Sequence, residues 1–359
     1  MKGYVSVSNH ERYNALLSTC RMKLESGDIQ GELDIGLVCE LKRTSFLAQQ
    51  LIKSEGDAFE LYVDRDGGSA LKFNAAGDIL RKLVKVHVFS DDRFGELYRF
   101  EPYIELVVRQ ITDAGLHHTY LSHKRAALCG DAQVLLALFN GCVDRIRQEA
   151  KSKQFQSKLK NYQRSGNKNY KELTEYIDAL FERYSRLLVL RVDLGYRKEF
   201  SKTTQAEAKQ DREHLFQNTR SNKLFGDMVG YIWKLEHGPD KGFHYHMMFF
   251  FDGSKVREDG TLVKRIGQYW LNVITKGRGV YYNCNADKSR YKSCGIGMVD
   301  HRDSLMRDGL GKAVLYLTKI DLYMKLQAVG RGMGKMERPR QKDPRGRPRA
   351  VPTDSTRAA

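Results

Sequence analysis

The sequence predicts an α+β fold, a central antiparallel sheet with flanking helices, preceded by a mixed, mainly helical N-terminal region. Three observations carry this. Runs at 187–194, 228–236 and 243–251 are short, apolar and rich in β-branched or aromatic residues, as strands are. Segments with apolar residues three and four apart separate them, as amphipathic helices do. Between the second and third runs, Gly238-Pro239-Asp240-Lys241-Gly242 is strong turn chemistry and joins them as an antiparallel hairpin.

Taken in order, residues 1–165 mix helical patterns, Tyr13 to Leu24 and Ala132 to Ala150, with a strand-like run from Leu83 to Phe89. The sequence assigns this region no function. Lys151 to Tyr170 is basic and free of acids, contains Ser165-Gly166-Asn167, and reads as a linker or as an exposed helix followed by a loop. It sets a domain boundary at 165/166. Lys171 to Tyr184 reads as a helix with Leu173, Tyr176, Ile177, Leu180 and Phe181 on its inner side, feeding the strand Leu187 to Leu194. After the hairpin, Leu262, Ile266, Trp270 and Ile274 repeat at helical spacing and suit core packing. Ile296 to Val299 reads as another strand, and Gly311 to Leu326 as a helix closing a second domain at 166–328. The tail, 329–359, is short of large apolar residues and is expected to be disordered when free.

Charge divides the chain. Residues 1–150 hold 19 Lys or Arg against 21 acids, whereas residues 151–359 hold 42 against 23, so the whole excess of +17 lies in the second half. Such a half attracts phosphate backbones and suits nucleic acid, although RNA, anionic membranes or ribosomal surfaces fit the charge almost as well. Six cysteines without a Cys-x-x-Cys pair indicate neither a zinc ribbon nor a disulfide framework. No Gly-x-x-x-x-Gly-Lys-Ser/Thr loop is present, so helicase activity would come from another protein. Apolar runs fall far short of the about 20 residues a membrane helix needs, and the N-terminus opens no signal peptide, which predicts a soluble, cytoplasmic protein without a membrane partner.

His244 and His246 carry the chemistry. One residue apart on a strand, they face the same way and can share a metal ion. Should Glu236 pair opposite His244, its carboxylate joins them, giving a His-His-Glu site suited to Mn²⁺, Mg²⁺ or Zn²⁺ with open positions for a substrate oxygen. His237 is the alternative third ligand, since adjacent strand residues point opposite ways and only one of the pair can reach the metal. On the later helix, Tyr316, Lys319 and Tyr323 fall at i, i+3 and i+7, on one stripe. A tyrosine beside an ammonium can serve as a nucleophile, and Lys319 could equally hold a phosphate. Tyr323 stands open as a second nucleophile or a structural tyrosine, and Asp193 as a neighbour of the metal or a salt-bridged strand-end acid.

These motifs resemble those of the HUH endonucleases that initiate rolling-circle replication. More narrowly, Arg191-Val192-Asp193-Leu194, the block from Glu236 to Gly253 and Tyr316-Leu317-Thr318-Lys319 resemble the inovirus gene II-like initiators, the YagK/YfjJ family. The tyrosine follows the histidines, which is the replication-initiator or single-tyrosine transposase order and the reverse of relaxases. The resemblance implies a ferredoxin- or RRM-like sheet, a Mg²⁺ or Mn²⁺ ion on Glu236, His244 and His246, attack by Tyr316 on a scissile phosphate, and Lys319 steadying that phosphate or the phenolate. It further implies single-stranded or supercoiled origin DNA as substrate, host helicase and polymerase as partners, and a bacterial cytoplasm. Two other classes stand beside it: a non-catalytic DNA-binding regulator of prophage origin, and an RNA-binding or structural protein with a zinc site.

Two basic segments are candidate DNA contacts. Lys276, Arg278, Arg290 and Lys292 interleave with Tyr281, Tyr282 and Tyr291, as cations and rings do in single-strand grooves. Arg345-Gly346-Arg347-Pro348 resembles an AT-hook core, which places arginines in a narrow A·T minor groove.

Overall fold

The computed structural model describes residues 35–63, 67–86, 97–116, 125–127, 132–238, 241–289, 291, 293–319, 323–327 and 330–340. The front of the chain runs α1 (Ile35–Lys53), β1 (Phe59–Val63), β2 (Ser69–Phe73), α2 (Ala75–Leu83), β3 (Tyr98–Phe100), α3 (Pro102–Asp113), β4 (Arg125–Ala127) and α4 (Ala132–Lys151). Strands β1, β2 and β4 form a small antiparallel sheet. α3 begins where Pro102 pre-sets the first turn and the Glu101 carboxylate accepts from the Ile104 amide. α4 buries Phe139, Cys142, Val143, Ile146 and Ala150, spaced three and four apart, against Leu51, Phe59, Leu71, Leu80 and Val107. The run from Leu83 to Phe89 is not a strand where it is described: Leu83 closes α2, and 87–89 lie outside the described residues. The helical pattern at Tyr13 to Leu24 also lies outside them.

α5 (Lys153–Arg183) is one helix of 31 residues, capped by Ser152 on the Phe155 amide. It replaces the expected linker or loop at 165–167. Burial at both ends carries the helix across this polar point: Phe155 and Leu159 enter the front core, while Leu173, Tyr176, Ile177, Leu180 and Phe181 enter a second core. One interior glycine costs about 1 kcal/mol, far less than burying either end returns. The boundary at 165/166 therefore falls inside an element.

The remainder runs β5 (Arg186–Tyr196), α6 (Gln205–Asn218), β6 (Met228–Gly238), β7 (Gly242–Asp252), α7 (Asp259–Tyr269, prolonged by a π turn to Ile274), β8 (Gly279–Asn283), β9 (Gly297–Asp300), α8 (Ser304–Lys319), β10 (Met324–Leu326) and β11 (Met333–Lys335). The main sheet has the order β11-β6-β7-β5-β8, with β9 also paired to β5, and these pairings are all antiparallel. The sequence β5-α6-β6-β7-α7-β8 in that spatial order is the β-α-β-β-α-β ferredoxin-like arrangement. The predicted fold class is the observed one.

Alternation along the strands divides two layers. Leu188, Leu190, Val192, Trp233, Tyr245, Met247 and Phe249 face α6 and α7, whose Leu215, Leu262, Ile266, Trp270 and Ile274 pack on them. Leu187, Val189, Ile232, Met248 and Phe250 face α5 and α8. β7, covered on both sides, is buried from Gly242 to Phe251.

Two expectations for the C-terminal part change. The helix read from Gly311 to Leu326 begins earlier, at Ser304, and stops at Lys319; residues 324–326 instead pair with β3 in the front region. Residues 330–340 of the tail pack on the domain: β11 pairs with Ile232 to Lys234, and Arg338 meets Glu175 at 2.7 Å. Residues 341–359 lie outside the described residues. Among the described residues no helix is long and apolar enough to cross a membrane. Among the described residues, Cys39, Cys142, Cys284 and Cys294 form no disulfide with one another.

Candidate metal centre and tyrosine

The hairpin turn sets the register of the site. Gly242 has φ +66, and an added Cβ would lie 2.1 Å from the Ser201 carbonyl oxygen, so only glycine fits there. Counting back from it, Glu236 pairs with His244 and Lys234 with His246. On the other side of β7, Asp193 pairs with His246. Because strand neighbours point oppositely, Glu236, His244, His246 and Asp193 share the face beneath α5 and α8.

Geometry joins the predicted ligands. One donor atom from each of Glu236, His244 and His246 lies within 4.8 Å of the others, and all three residues are buried. His246 Nε2 is 3.1 Å from Glu236 Oε2, and its Nδ1 is 2.6 Å from Asp193 Oδ1. His244 Nε2 stands 4.0 Å from the same Glu236 oxygen, and its Nδ1 is 3.2 Å from the Gly242 carbonyl oxygen. Asp193 therefore orients a ligand from behind, as a carboxylate does behind a metal-bound imidazole.

Electrostatics follows from burial and charge together. Burial raises the Glu236 carboxyl, yet the adjacent His246, with His244 and Lys234, brings it down to about 2. For His246, burial opposes the charged form, but Asp193 and then Glu236 outweigh it and raise the imidazole to about 9. His244 goes the other way, lowered to about 4 by burial and by the positive His246. The buried Glu236 carboxylate and the partly buried Asp193 carboxylate around two imidazoles make a setting that favours a cation. Glu236 Oε1 is buried without a hydrogen-bond partner, an acceptor left open. These donors fit a divalent ion.

Tyr316 reaches this face from α8. Its ring centroid is 5.8 Å from that of His246, edge to face at 85°, and the Arg191 guanidinium carbon lies 4.3 Å over the phenol ring. Leu310, Val314 and Leu317 seat the helix on the sheet. A backbone crossing fixes its height: a Cβ on Gly309 would lie 2.0 Å from the Cys294 oxygen, and one on Gly295 2.0 Å from the Leu310 nitrogen. Lys319 is the last residue of α8, one turn beyond Tyr316; its side chain lies outside the described residues.

The other predicted residues separate. Tyr323 is not on the helix with Tyr316: it follows the end of α8 and packs with Leu41, Tyr98, Ile104 and Met324, its carbonyl accepting from the Glu101 amide at 2.8 Å. The shared stripe fails because residues 324–326, next to Tyr323, pair with β3. His237 points to the opposite face from Glu236, against Phe243, and its carbonyl accepts from the Tyr98 hydroxyl at 2.6 Å. Glu236, then, is the one of the pair that joins the cluster. Lys276 is exposed in a left-handed turn, φ 50. Arg278 donates to both carboxylate oxygens of Asp211, at 3.2 and 3.0 Å, and so has an intramolecular partner. Arg290, Lys292, Arg345 and Arg347 lie outside the described residues.

Three residues at or beside the site were not singled out as functional from sequence. Arg191 and Lys234 are 4 % and 6 % exposed and lie two positions before Asp193 and Glu236, on the same face. The signal was available: a charge at alternate positions of an otherwise apolar strand. Tyr98 had none, being 139 residues from His237.

Comparison with known proteins places this segment. Residues 149–327 match the YagK/YfjJ C-terminal domain. The match opens just ahead of α5 and closes just after β10, so the matched segment takes in the whole long helix and every residue of the cluster. No curated protein and no solved structure gives a significant match to the chain.

Proposed function

We propose that the chain is a metal-dependent, site-specific DNA nickase and strand transferase of the HUH type, acting from the bacterial cytoplasm on the replication origin of a prophage, filamentous phage or related element. The observation that carries this reading is the edge-to-face contact of Tyr316 with His246, which puts the phenol beside the buried Glu236-His244-His246 cluster. The match to a prophage-associated domain and the basic second half of the chain support the setting.

In this reading Glu236, His244 and His246 hold Mg²⁺ or Mn²⁺, which supplies polarisation of a non-bridging phosphate oxygen in an in-line displacement. Asp193 keeps the His246 ring in place. Arg191, stacked on the phenol, fixes the orientation of Tyr316, and Lys319 offers a cation one turn away. The Tyr316 hydroxyl gives up its proton as its oxygen forms a bond to phosphorus and the bond to the 3′ oxygen breaks; a proton passes to the 3′ oxygen, leaving a free 3′-hydroxyl and no net proton change. The phosphotyrosyl bond keeps the energy of the original linkage, so a 3′-hydroxyl can reverse the step without ATP. A polymerase extends the free 3′ end, and a separate helicase opens the duplex.

The test is incubation with supercoiled and single-stranded origin DNA in Mn²⁺ or Mg²⁺, scored for nicks and for a covalent protein–DNA adduct. Tyr316→Phe should abolish the adduct and Tyr323→Phe should keep it. An adduct that survives Tyr316→Phe overturns the assignment. No adduct from the wild-type chain with either ion leaves the DNA-binding regulator as the better reading.

A further inference from the structure

The outer face of α5 is a second feature that the site does not use. Lys153, Lys160, Arg164, Lys168 and Lys171 are exposed and fall at i, i+7, i+11, i+15 and i+18. At 100° per residue they occupy an arc of about 80°, opposite the buried Phe155, Leu159, Leu173 and Ile177, along about 27 Å of axis. No acid occurs between Lys151 and Lys171. Among the described residues, Lys153, Lys160 and Arg164 have no carboxylate within ion-pair distance. Lys168 and Lys171 face Glu172 and Glu175 at 3.7 and 3.8 Å, exposed pairs that hold the cations only weakly.

A row of like charges on a rigid rod repels itself, and a polyanion relieves that repulsion. The stripe also lacks rings: Phe155 and Tyr162 are buried, and Tyr170 packs toward the sheet. Grooves for single strands interleave cations with aromatics to stack unpaired bases. A straight, ring-free row suits phosphates whose bases are hidden from it.

We infer that the outer face of α5 is a rail for the phosphate backbone of double-stranded DNA, holding duplex beside the nicking site without reading its sequence. The rail rests on the proposed function only for the identity of the polymer as DNA.

Binding and cleavage are measured apart. Full-length protein carrying Tyr316→Phe, in EDTA, is titrated into a labelled duplex of about 20 base pairs and a single strand of equal length, over a range of salt, by fluorescence anisotropy. Replacing Lys153, Lys160 and Arg164 together by Ala should reduce the magnitude of the log-affinity against log-salt slope for duplex by about 2.7, or about 0.9 for each phosphate that is no longer neutralised. A control with equal charge loss, Lys198→Ala, Lys202→Ala and Lys264→Ala, should keep the slope. Alanine favours helix, so the stripe variant retains α5, which circular dichroism verifies. Equal slopes for the two variants overturn the rail, and an equal loss on single strand overturns its assignment to duplex. With Tyr316 restored, the stripe variant should still nick a short single-stranded origin. Absence of nicking in the wild type would strike the enzyme reading alone.

Discussion

His246 lies between two carboxylates, and that position makes the stability of the metal-free protein depend on pH with a definite sign. Its folded value, about 9, lies above the ordinary 6.5, so its stabilisation is complete below pH 6.5 and disappears as pH rises through 9. Glu236, held at about 2, contributes above the usual carboxylate range and loses that contribution as pH falls through 2. His244, at about 4, contributes above pH 6.5 and loses it as pH falls through 4. Between pH 6.5 and 9, His246 is the member of the cluster that titrates. In EDTA the urea midpoint should fall across that window, and His246→Gln should flatten the fall. A midpoint that rises with pH in the wild type would refute the charged His246. Saturating Mn²⁺ should reverse the trend, because a bound ion displaces the imidazole proton and binds better as protons become scarce. Much of this cluster was legible in the sequence, since a hairpin turn and period-two alternation are local signals that place Glu236, His244 and His246 on one face. The pairing of Asp193 with His246 needed the third strand, β5, whose register no local pattern specifies.

At the scale of elements, what was legible was what each segment decides for itself. The strands β5, β6 and β7 and the core-facing stripe of α7 are written in their own periodicity. The strand at 324–326 is not: its residues continue an apolar pattern compatible with a helix, and they pair instead with the backbone groups that β3 offers. β11 escapes composition for the same reason, since its pairing with β6 is made by amides and carbonyls, which composition does not record. Three-residue strands of this kind depend on their partners for stability. The height of α8 is likewise set from outside, by the contact of Gly309 with the backbone at Cys294. Gly309→Ala places a methyl 2.0 Å from a carbonyl oxygen that cannot swing aside. This overpacking should cost about 1–3 kcal/mol and shift Tyr316 away from His246. Urea denaturation measures the first effect and single-turnover adduct formation the second. Unchanged values in both would remove the crossing as the element that sets Tyr316.

For the molecule as a whole, the front and rear regions are bound together more closely than a boundary at 165/166 implies. α5 contributes to both cores, β10 pairs with β3, and the Tyr98 hydroxyl holds the strand residue next to Glu236. None of these ties has a sequence signal, because each joins residues far apart in the chain. They predict a single cooperative unfolding transition. Trp233 and Trp270 both report on the sheet core, while far-UV circular dichroism reports on helices throughout, so the two urea curves should coincide. Curves separated by an intermediate plateau would mean that the regions unfold independently. Removal of residues 1–152 would bare Phe155 and Leu159, at about 1.5–3 kcal/mol each, besides unpairing β10. A chimera that exchanges the front of this chain for another must inherit residues 153–183 intact from the rear parent, and its new front must supply both a socket for Phe155 and Leu159 and an edge strand for Met324 to Leu326. The long helix thus acts as a keel laid under two hulls, which limits where recombination can join them.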